Sequence, residues 1–121
     1  MRYVFVETSW FTQSLRDFFQ TDQDYAEFQA YLAEQPDKGD VLEGSGGLRK
    51  LRWADKKRGK GKRSGCRVLY LHLLPAARIL LVDIYGKNEQ DDFSADDLRV
   101  FKKMIEEYKE TIFLNQIKKR K

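Results

Sequence analysis

Residues 67–85, RVLYLHLLPAARILLVDIY, form the stretch that decides the fold of this 121-residue chain. Apolar side chains fill both of its halves, and Pro75 with the small residues after it interrupts them. Short runs rich in Val, Ile, Leu and Tyr that are bounded by a proline turn predict strands. We therefore expect two strands, over residues 67–74 and 79–85, joined by a turn over residues 75–78.

Three helices are predicted, two before these strands and one after them. Ser9 or Thr8 can cap a helix that ends near residue 19, and Thr21 can cap a second helix that stops before Pro36. A third helix should run from Ser94, at the start of a capping box, to about residue 115. The side chains expected to be buried on these helices are Trp10, Phe11, Leu15, Phe18, Phe19, Tyr25, Phe28, Leu32, Leu98, Phe101, Met104, Ile105, Tyr108 and Ile112.

Two further strands, over residues 3–6 and 48–53, complete the prediction, and the glycine-rich residues 36–47 are expected to be a loop. The order strand, two helices, three strands, helix is typical of an α+β domain with a mainly antiparallel sheet of about four strands. We expect helices to cover one face of the sheet and to leave the other face for a ligand. The length of 121 residues fits one domain, residues 1–121.

Positive charge is concentrated in one segment of the chain. Residues 48–67, LRKLRWADKKRGKGKRSGCR, carry ten of the 23 Lys and Arg residues and one acid, whereas the rest of the chain is net negative. A basic patch beside strands predicts a polyanionic partner, with nucleic acid as the first candidate. The basic loop over residues 56–65 supplies most of this charge.

The sequence disfavours several classes of protein. One cysteine, Cys66, and one histidine, His72, can build neither an internal disulfide nor a zinc site of the usual ligands. We therefore expect no metal and no cofactor. The N-terminus does not resemble a signal peptide, and no apolar stretch is long enough to span a membrane. The expected location is the cytoplasm.

Three motifs follow one another after the first two helices and before the third. They are GGLRKLRW (residues 46–53), GKRSGCRVLY (residues 61–70) and YGKNE (residues 85–89). Together they resemble the RelE/HigB superfamily of bacterial type II toxins, most closely its HigB-like branch, over roughly residues 2–112. The resemblance implies a compact RelE-like microbial ribonuclease domain with a short tail, residues 116–121, that cleaves mRNA in the ribosomal A site.

The resemblance also implies a catalytic set of four cations. Lys50 and Arg52 fall where the family places basic strand residues at the scissile phosphate, Arg67 where a strand arginine contacts phosphate, and Lys87 at the end of the last strand. In such a site a lysine flanked by cations can act as base for the 2′-hydroxyl, and Lys50 is the favoured base. Another cation can stabilise the developing charge or protonate the leaving 5′-oxygen.

The chain departs from the family pattern at two places, which leaves the identity of the proton-transferring residue open. Asn88 stands where some relatives have arginine, and Phe93 or Ser94 lies where some have a catalytic tyrosine.

RNA or ribosome binding is expected of a wider set of residues: Arg49, Lys56, Lys57, Arg58, Lys60, Lys62, Arg63, Tyr70 and Tyr85.

The partners follow from the same resemblance. They are the ribosome with its mRNA and a cognate, HigA-like antitoxin of the helix-turn-helix type. Operator DNA would be contacted only through the antitoxin. No membrane partner is expected. The expected activity is that of a metal-independent mRNA interferase, an endoribonuclease that inhibits translation and leaves a 2′,3′-cyclic phosphate.

Each assignment has a simpler structural alternative. The basic loop can be solvated and serve only to steer the protein toward phosphate, and Lys50 and Arg67 can be ordinary surface cations. Tyr70 and Tyr85 can be core residues, as Trp53 and Cys66 are expected to be. A function of a different class is also open: a non-catalytic RNA- or ribosome-binding module in which the same cations only hold phosphate.

Overall fold

The computed structural model describes residues 2–55, 59, 61, 65–74, 76–87 and 93–120, with the side chains of 116–120 excepted. In chain order its elements are β1 (Val4–Glu7), α1 (Ser9–Phe18), α2 (Asp22–Glu34), β2 (Asp40–Val41), β3 (Arg49–Trp53), β4 (Cys66–Leu73), β5 (Arg78–Gly86) and α3 (Ala95–Arg120). The five strands form one sheet in the order β1-β5-β4-β3-β2.

The sheet is mixed, because β1 pairs parallel with β5 while the other three pairings are antiparallel. The α+β class, the three helices and the strands over the apolar runs are therefore confirmed. The expected four strands become five, because β2 is only two residues long and lies inside the segment predicted as a loop. A strand this short has too few residues to show an alternating pattern.

Side-chain caps set the helix starts, as the sequence predicted. The hydroxyl of Thr8, not of Ser9, accepts from the Phe11 amide at 3.2 Å, and Thr21 accepts from the Asp24 amide at 3.1 Å. Before α3, Ser94 and Asp97 bond to each other's amide through their side chains, both at 3.1 Å, which is a complete capping box. The backbone of α3 continues to Arg120, beyond the predicted end near residue 115.

Helices cover both faces of the sheet. Phe11, Phe18, Phe28 and Leu32 from α1 and α2 pack on one face, in a cluster that includes Val68 and Ile84 of the sheet. On the other face Ile105 of α3 packs against a second cluster of strand side chains, Leu48, Leu69, Leu71, Leu73, Leu80, Val82 and Tyr85. The expectation that one face is left uncovered for a ligand is therefore wrong, since its leucine-rich part needs burial too.

Trp10 was expected in the core, but its side chain is 52% exposed. The buried side of α1 is formed by Phe11, Leu15 and Phe18 instead. No helix in the described part of the chain is both long and apolar enough to cross a membrane.

Candidate functional site

A row of paired residues crosses three strands near one end of the sheet. Arg52 of β3 lies opposite Arg67 of β4, which in turn lies opposite Tyr85 of β5. Directly paired residues of antiparallel strands share a face, and Lys50 shares it as well because it is two residues from Arg52. All four residues therefore lie on the face that α3 covers.

Lys87 follows at the same end of the sheet. Its amide donates to the Gly65 carbonyl at 3.2 Å, one residue past the pairing of Cys66 with Gly86. The start of β4 and the end of β5 therefore lie side by side. Lys87 itself is exposed at this end.

Arg67 is placed differently from its neighbours in the row. Its side chain is 3% exposed, whereas Arg52 is exposed and Lys50 half-buried. Its Nη1 donates to the backbone carbonyl of Cys66 at 3.3 Å. The Arg67 guanidinium therefore lies below the surface in this structure. Direct contact with a phosphate would require that its side chain become exposed.

A cavity opens at the edge of the sheet beside Lys50 and Arg52. Its volume is about 630 Å³, and α2, β3 and the chain that leads from α2 into β2 form its walls. Three cations line it, Lys38, Lys50 and Arg52, with one carboxylate, Asp40. The remaining walls are Tyr31, Leu42 and Leu51. An edge cavity with a net positive lining suits the phosphate and sugar of a nucleic acid.

Three polar residues of this cavity, Tyr31, Lys38 and Asp40, were not predicted from the sequence. Tyr31 was one of several aromatic residues of α2, and its ring lies 5.0 Å from that of Trp53 at an angle of 53°. Lys38 and Asp40 lie in the segment interpreted as a loop. No sequence pattern marks Asp40 as a site residue. Only its pairing with Lys50 in the structure shows that an acid lies beside the motif lysine.

Two residues predicted to bind RNA instead fasten the segment that carries Lys38 and Asp40. The Tyr70 side chain is fully buried, and its hydroxyl donates to the Pro36 carbonyl at 2.8 Å and accepts from the Gly39 amide at 2.9 Å. Arg49 donates to the Gly39 carbonyl at 2.8 Å and to that of Asp37 at 3.1 Å. Tyr70 is therefore a core residue, and Arg49 is an anchor for this segment.

His72 anchors the same segment from β4. Its Nδ1 lies 2.8 Å from a carboxylate oxygen of Asp37, and its Nε2 lies 2.8 Å from the Tyr3 hydroxyl. Since a carboxylate can only accept, the neutral ring carries its proton on Nδ1 and accepts from Tyr3 on Nε2. These contacts make His72 a structural residue that fastens this segment to β4.

Two pKa values follow from these contacts. The hydrogen bond from His72 is the main reason that the pKa of Asp37 is below its ordinary value, and the charge of Arg49 acts in the same direction. Burial raises the pKa of Tyr70 above its ordinary value. Tyr70 therefore keeps its proton at neutral pH and remains a donor to the Pro36 carbonyl.

The remaining predicted site residues divide into two groups. Tyr85 is 5% exposed and packs edge-on against Phe93, at 6.1 Å between ring centres and 82°, so its ring is not presented to a base. Cys66 is buried, as expected. Six of the predicted RNA-binding residues lie outside the described part of the chain: Lys56, Lys57, Arg58, Lys60, Lys62 and Arg63. Asn88 lies outside it as well.

Groups of acidic, histidine or cysteine side chains with the geometry of a metal site do not occur among the described residues. The charged side chains that line the cavity are Lys38, Lys50, Arg52 and Asp40, and Arg67 and Asp55 are buried near the same end of the sheet. The groups that line the cavity can bind a phosphodiester, stabilise negative charge on it and exchange protons with it.

Comparison with known proteins supports the fold. No family model matches the chain. Among solved structures it is similar to the isolated E. coli RelE toxin, with a TM-score of 0.52 and 14% sequence identity over 88% of this chain and 98% of that one. At this identity the likeness concerns the fold alone, and the fold of this chain is RelE-like.

Proposed function

We propose that this protein is the toxin of a type II toxin-antitoxin system, of the HigB-like branch, and that it cleaves translated mRNA in the ribosomal A site. The observation that carries the proposal is the cation-lined cavity of Lys38, Lys50 and Arg52 at the edge of a RelE-like sheet. Lys50 and Arg52 are also the strand cations within the motifs that resemble the family. Sequence motif and cavity thus coincide.

The proposed reaction uses the 2′-hydroxyl of the RNA as nucleophile and needs no metal. Attack on the adjacent phosphorus places additional negative charge on the phosphate oxygens, which preorganised cations stabilise. Lys50 and Arg52 line the cavity, Arg67 is buried behind Arg52 on the neighbouring strand, and Lys87 lies at the same end of the sheet. The expected products are a 2′,3′-cyclic phosphate and a 5′-hydroxyl.

The partners belong to the same proposal. The ribosome supplies the mRNA in the cytoplasm, and the basic loop over residues 56–65 is proposed to contact ribosomal RNA through phosphate, a contact that should weaken steeply with salt. A HigA-like antitoxin with a helix-turn-helix domain would neutralise the toxin and carry it to operator DNA.

The proposal is tested by induced expression of the wild type beside the Lys50→Ala/Arg52→Ala double variant. We expect the wild type to arrest growth and to produce new mRNA 5′ ends within translated codons, and the double variant to produce neither, because the charge that stabilises the transition state is gone. Arg67 is left intact in this variant, since removing a buried arginine risks unfolding.

The matched control removes the same two kinds of charge elsewhere. Arg99 and Lys103 are exposed on α3 and do not line the cavity. Arg99→Ala/Lys103→Ala should arrest growth and cut mRNA as the wild type does. Cuts that persist in the Lys50→Ala/Arg52→Ala variant would refute the site, and growth arrest without cuts in the wild type would refute the nuclease.

One observation favours the second candidate, an RNA- or ribosome-binding module without catalysis. Arg67, a strand arginine of the motif, is buried rather than presented to phosphate. In such a module charge alone would matter, so Arg52→Lys, at an exposed cation of the cavity, should leave function nearly intact. In a nuclease the same change should impair cleavage, because an ammonium does not reproduce the planar, forked contacts of a guanidinium.

A further inference from the structure

We propose that Asp40 accepts the proton of the 2′-hydroxyl and that Lys50 donates a proton to the leaving 5′-oxygen. The inference rests on the proposed nuclease function. It exchanges the role of base, which the sequence assigned to Lys50, for that of acid. Asp40 belongs to none of the three motifs that carry the family resemblance, and it enters the site because of where β2 places it.

The pairing of β2 with β3 brings the two residues together. Asp40 and Lys50 are direct antiparallel partners, so their side chains extend from the same face of the sheet. The Cβ atoms of such partners are about 5 Å apart. Both side chains line the cavity, and Asp40 is the one carboxylate among the described residues that do so. Asp40 is exposed and Lys50 half-buried, so substrate can reach both.

Two hydrogen bonds hold the segment that presents Asp40 in place, immediately before that residue. Tyr70 and Arg49 bond to the Gly39 amide and carbonyl, immediately before Asp40. A methyl group on Gly39 would lie 2.8 Å from the Tyr70 ring and 3.0 Å from the Lys50 carbonyl, so glycine permits this close approach. A proton acceptor on such a fastened segment is positioned before substrate arrives, as general base catalysis requires.

The chemistry of a carboxylate and of an ammonium suits opposite roles. A carboxylate can accept a proton at once, whereas an ammonium has a proton to give and must lose it before it can act as a base. Lys38 and Arg52 are the other two basic residues that line the same cavity. They are therefore assigned to holding the phosphate.

The proton transfers balance over one turnover. The 2′-hydroxyl gives its proton to Asp40 as the 2′-oxygen bonds to phosphorus, and the bond between phosphorus and the 5′-oxygen breaks as that oxygen takes a proton from Lys50. The products are the cyclic phosphate and the 5′-hydroxyl. Transfer of the proton from Asp40 to its neighbour Lys50 then restores both groups.

The test measures single-turnover cleavage of a defined mRNA on purified translating ribosomes, with protein in excess. Asp40→Asn and Lys50→Ala should each lower the rate about 100-fold, a usual contribution of one acid or base. Binding to the ribosome should change little for Asp40→Asn, and Asp40→Glu should recover part of the rate. The control is Glu43→Gln, an exposed carboxylate outside the cavity, which should cleave as the wild type does.

A second substrate separates acid from base. Sulfur in place of the scissile 5′-oxygen is a leaving group that needs no proton. With it, Lys50→Ala should approach the wild-type rate to within about tenfold, because the remaining defect is lost charge stabilisation, whereas Asp40→Asn should stay slow. A purely structural role for either residue would not produce this split.

The outcomes that overturn the inference differ from those that overturn the proposed function. If Asp40→Asn cleaved at a rate within about twofold of the wild type, Asp40 would not be the base, since loss of a base lowers the rate far more. The proposed nuclease function would be unaffected by this result. Rescue of Asp40→Asn by the sulfur substrate, or its failure to rescue Lys50→Ala, would overturn the assigned roles. Absence of cleavage by the wild type would refute the nuclease and, with it, the role of Asp40.

Discussion

At the scale of single residues, hydrogen bonds to the backbone hold one wall of the cavity in place. Tyr70 and Arg49, both expected to bind RNA, bond instead to the backbone of residues 36–39. The sequence could not separate these roles, because a tyrosine or arginine on a strand beside basic residues has the same pattern in either case. Only the pairing of Arg49 with Tyr70 across β3 and β4 directs both toward this segment.

Tyr70→Phe should lower the free energy of unfolding by about 1–3 kcal/mol, because the buried Gly39 amide would lose its acceptor. Urea-induced unfolding measures the change. Tyr108→Phe is the matched control, since its hydroxyl is buried without a hydrogen-bond partner among the described residues. Its removal should leave the protein at least as stable as the wild type, because no hydrogen bond is lost. Equal losses in the two variants would contradict the anchoring role of Tyr70.

Secondary-structure elements were predictable where local pattern decides them. The caps at Thr8, Thr21 and Ser94 and the apolar runs of β4 and β5 are local features, and the structure confirms them. The two-residue β2 and the placement of α3 on the second face depend on contacts between distant segments. An amphipathic stripe shows that a helix is buried on one side, but it does not show against which face.

The end of the β3–β4 pair depends on a close backbone approach at Gly65. A methyl group there would lie 2.2 Å from the Trp53 carbonyl oxygen and 2.8 Å from the Asp55 amide nitrogen. Backbone atoms in a paired sheet cannot move aside, so Gly65→Ala should destabilise the protein by more than about 2 kcal/mol. Thermal unfolding measures the change.

Gly61→Ala provides the comparison for this prediction. Gly61 is exposed, and a methyl group there would have no neighbour within 4 Å. Its melting temperature should stay close to that of the wild type. If Gly65→Ala melted together with Gly61→Ala, the close approach at the end of β3 and β4 would be refuted.

The whole molecule combines a RelE-like scaffold with strongly uneven charge. The overall formal charge is only +4, yet ten of 23 cations lie within residues 48–67. The scaffold brings part of this charge, Lys50 and Arg52, to a sheet edge where Lys38 and Asp40 complete a cavity. Composition predicted the polyanionic partner, whereas the place of the Asp40 carboxylate in the cavity could be found only from the register of β2 and β3.

The central claim is that this cavity cleaves RNA on the ribosome, and reconstituted translation with purified components tests it most directly. A defined, end-labelled mRNA is incubated with the wild type or with Lys50→Ala/Arg52→Ala, in the presence and absence of ribosomes. We expect wild-type cuts in translated codons only with ribosomes, an upstream fragment that ends in a 2′,3′-cyclic phosphate, and no cuts by the double variant. Uncut mRNA with the wild type, or equal cutting by both proteins, would contradict the claim.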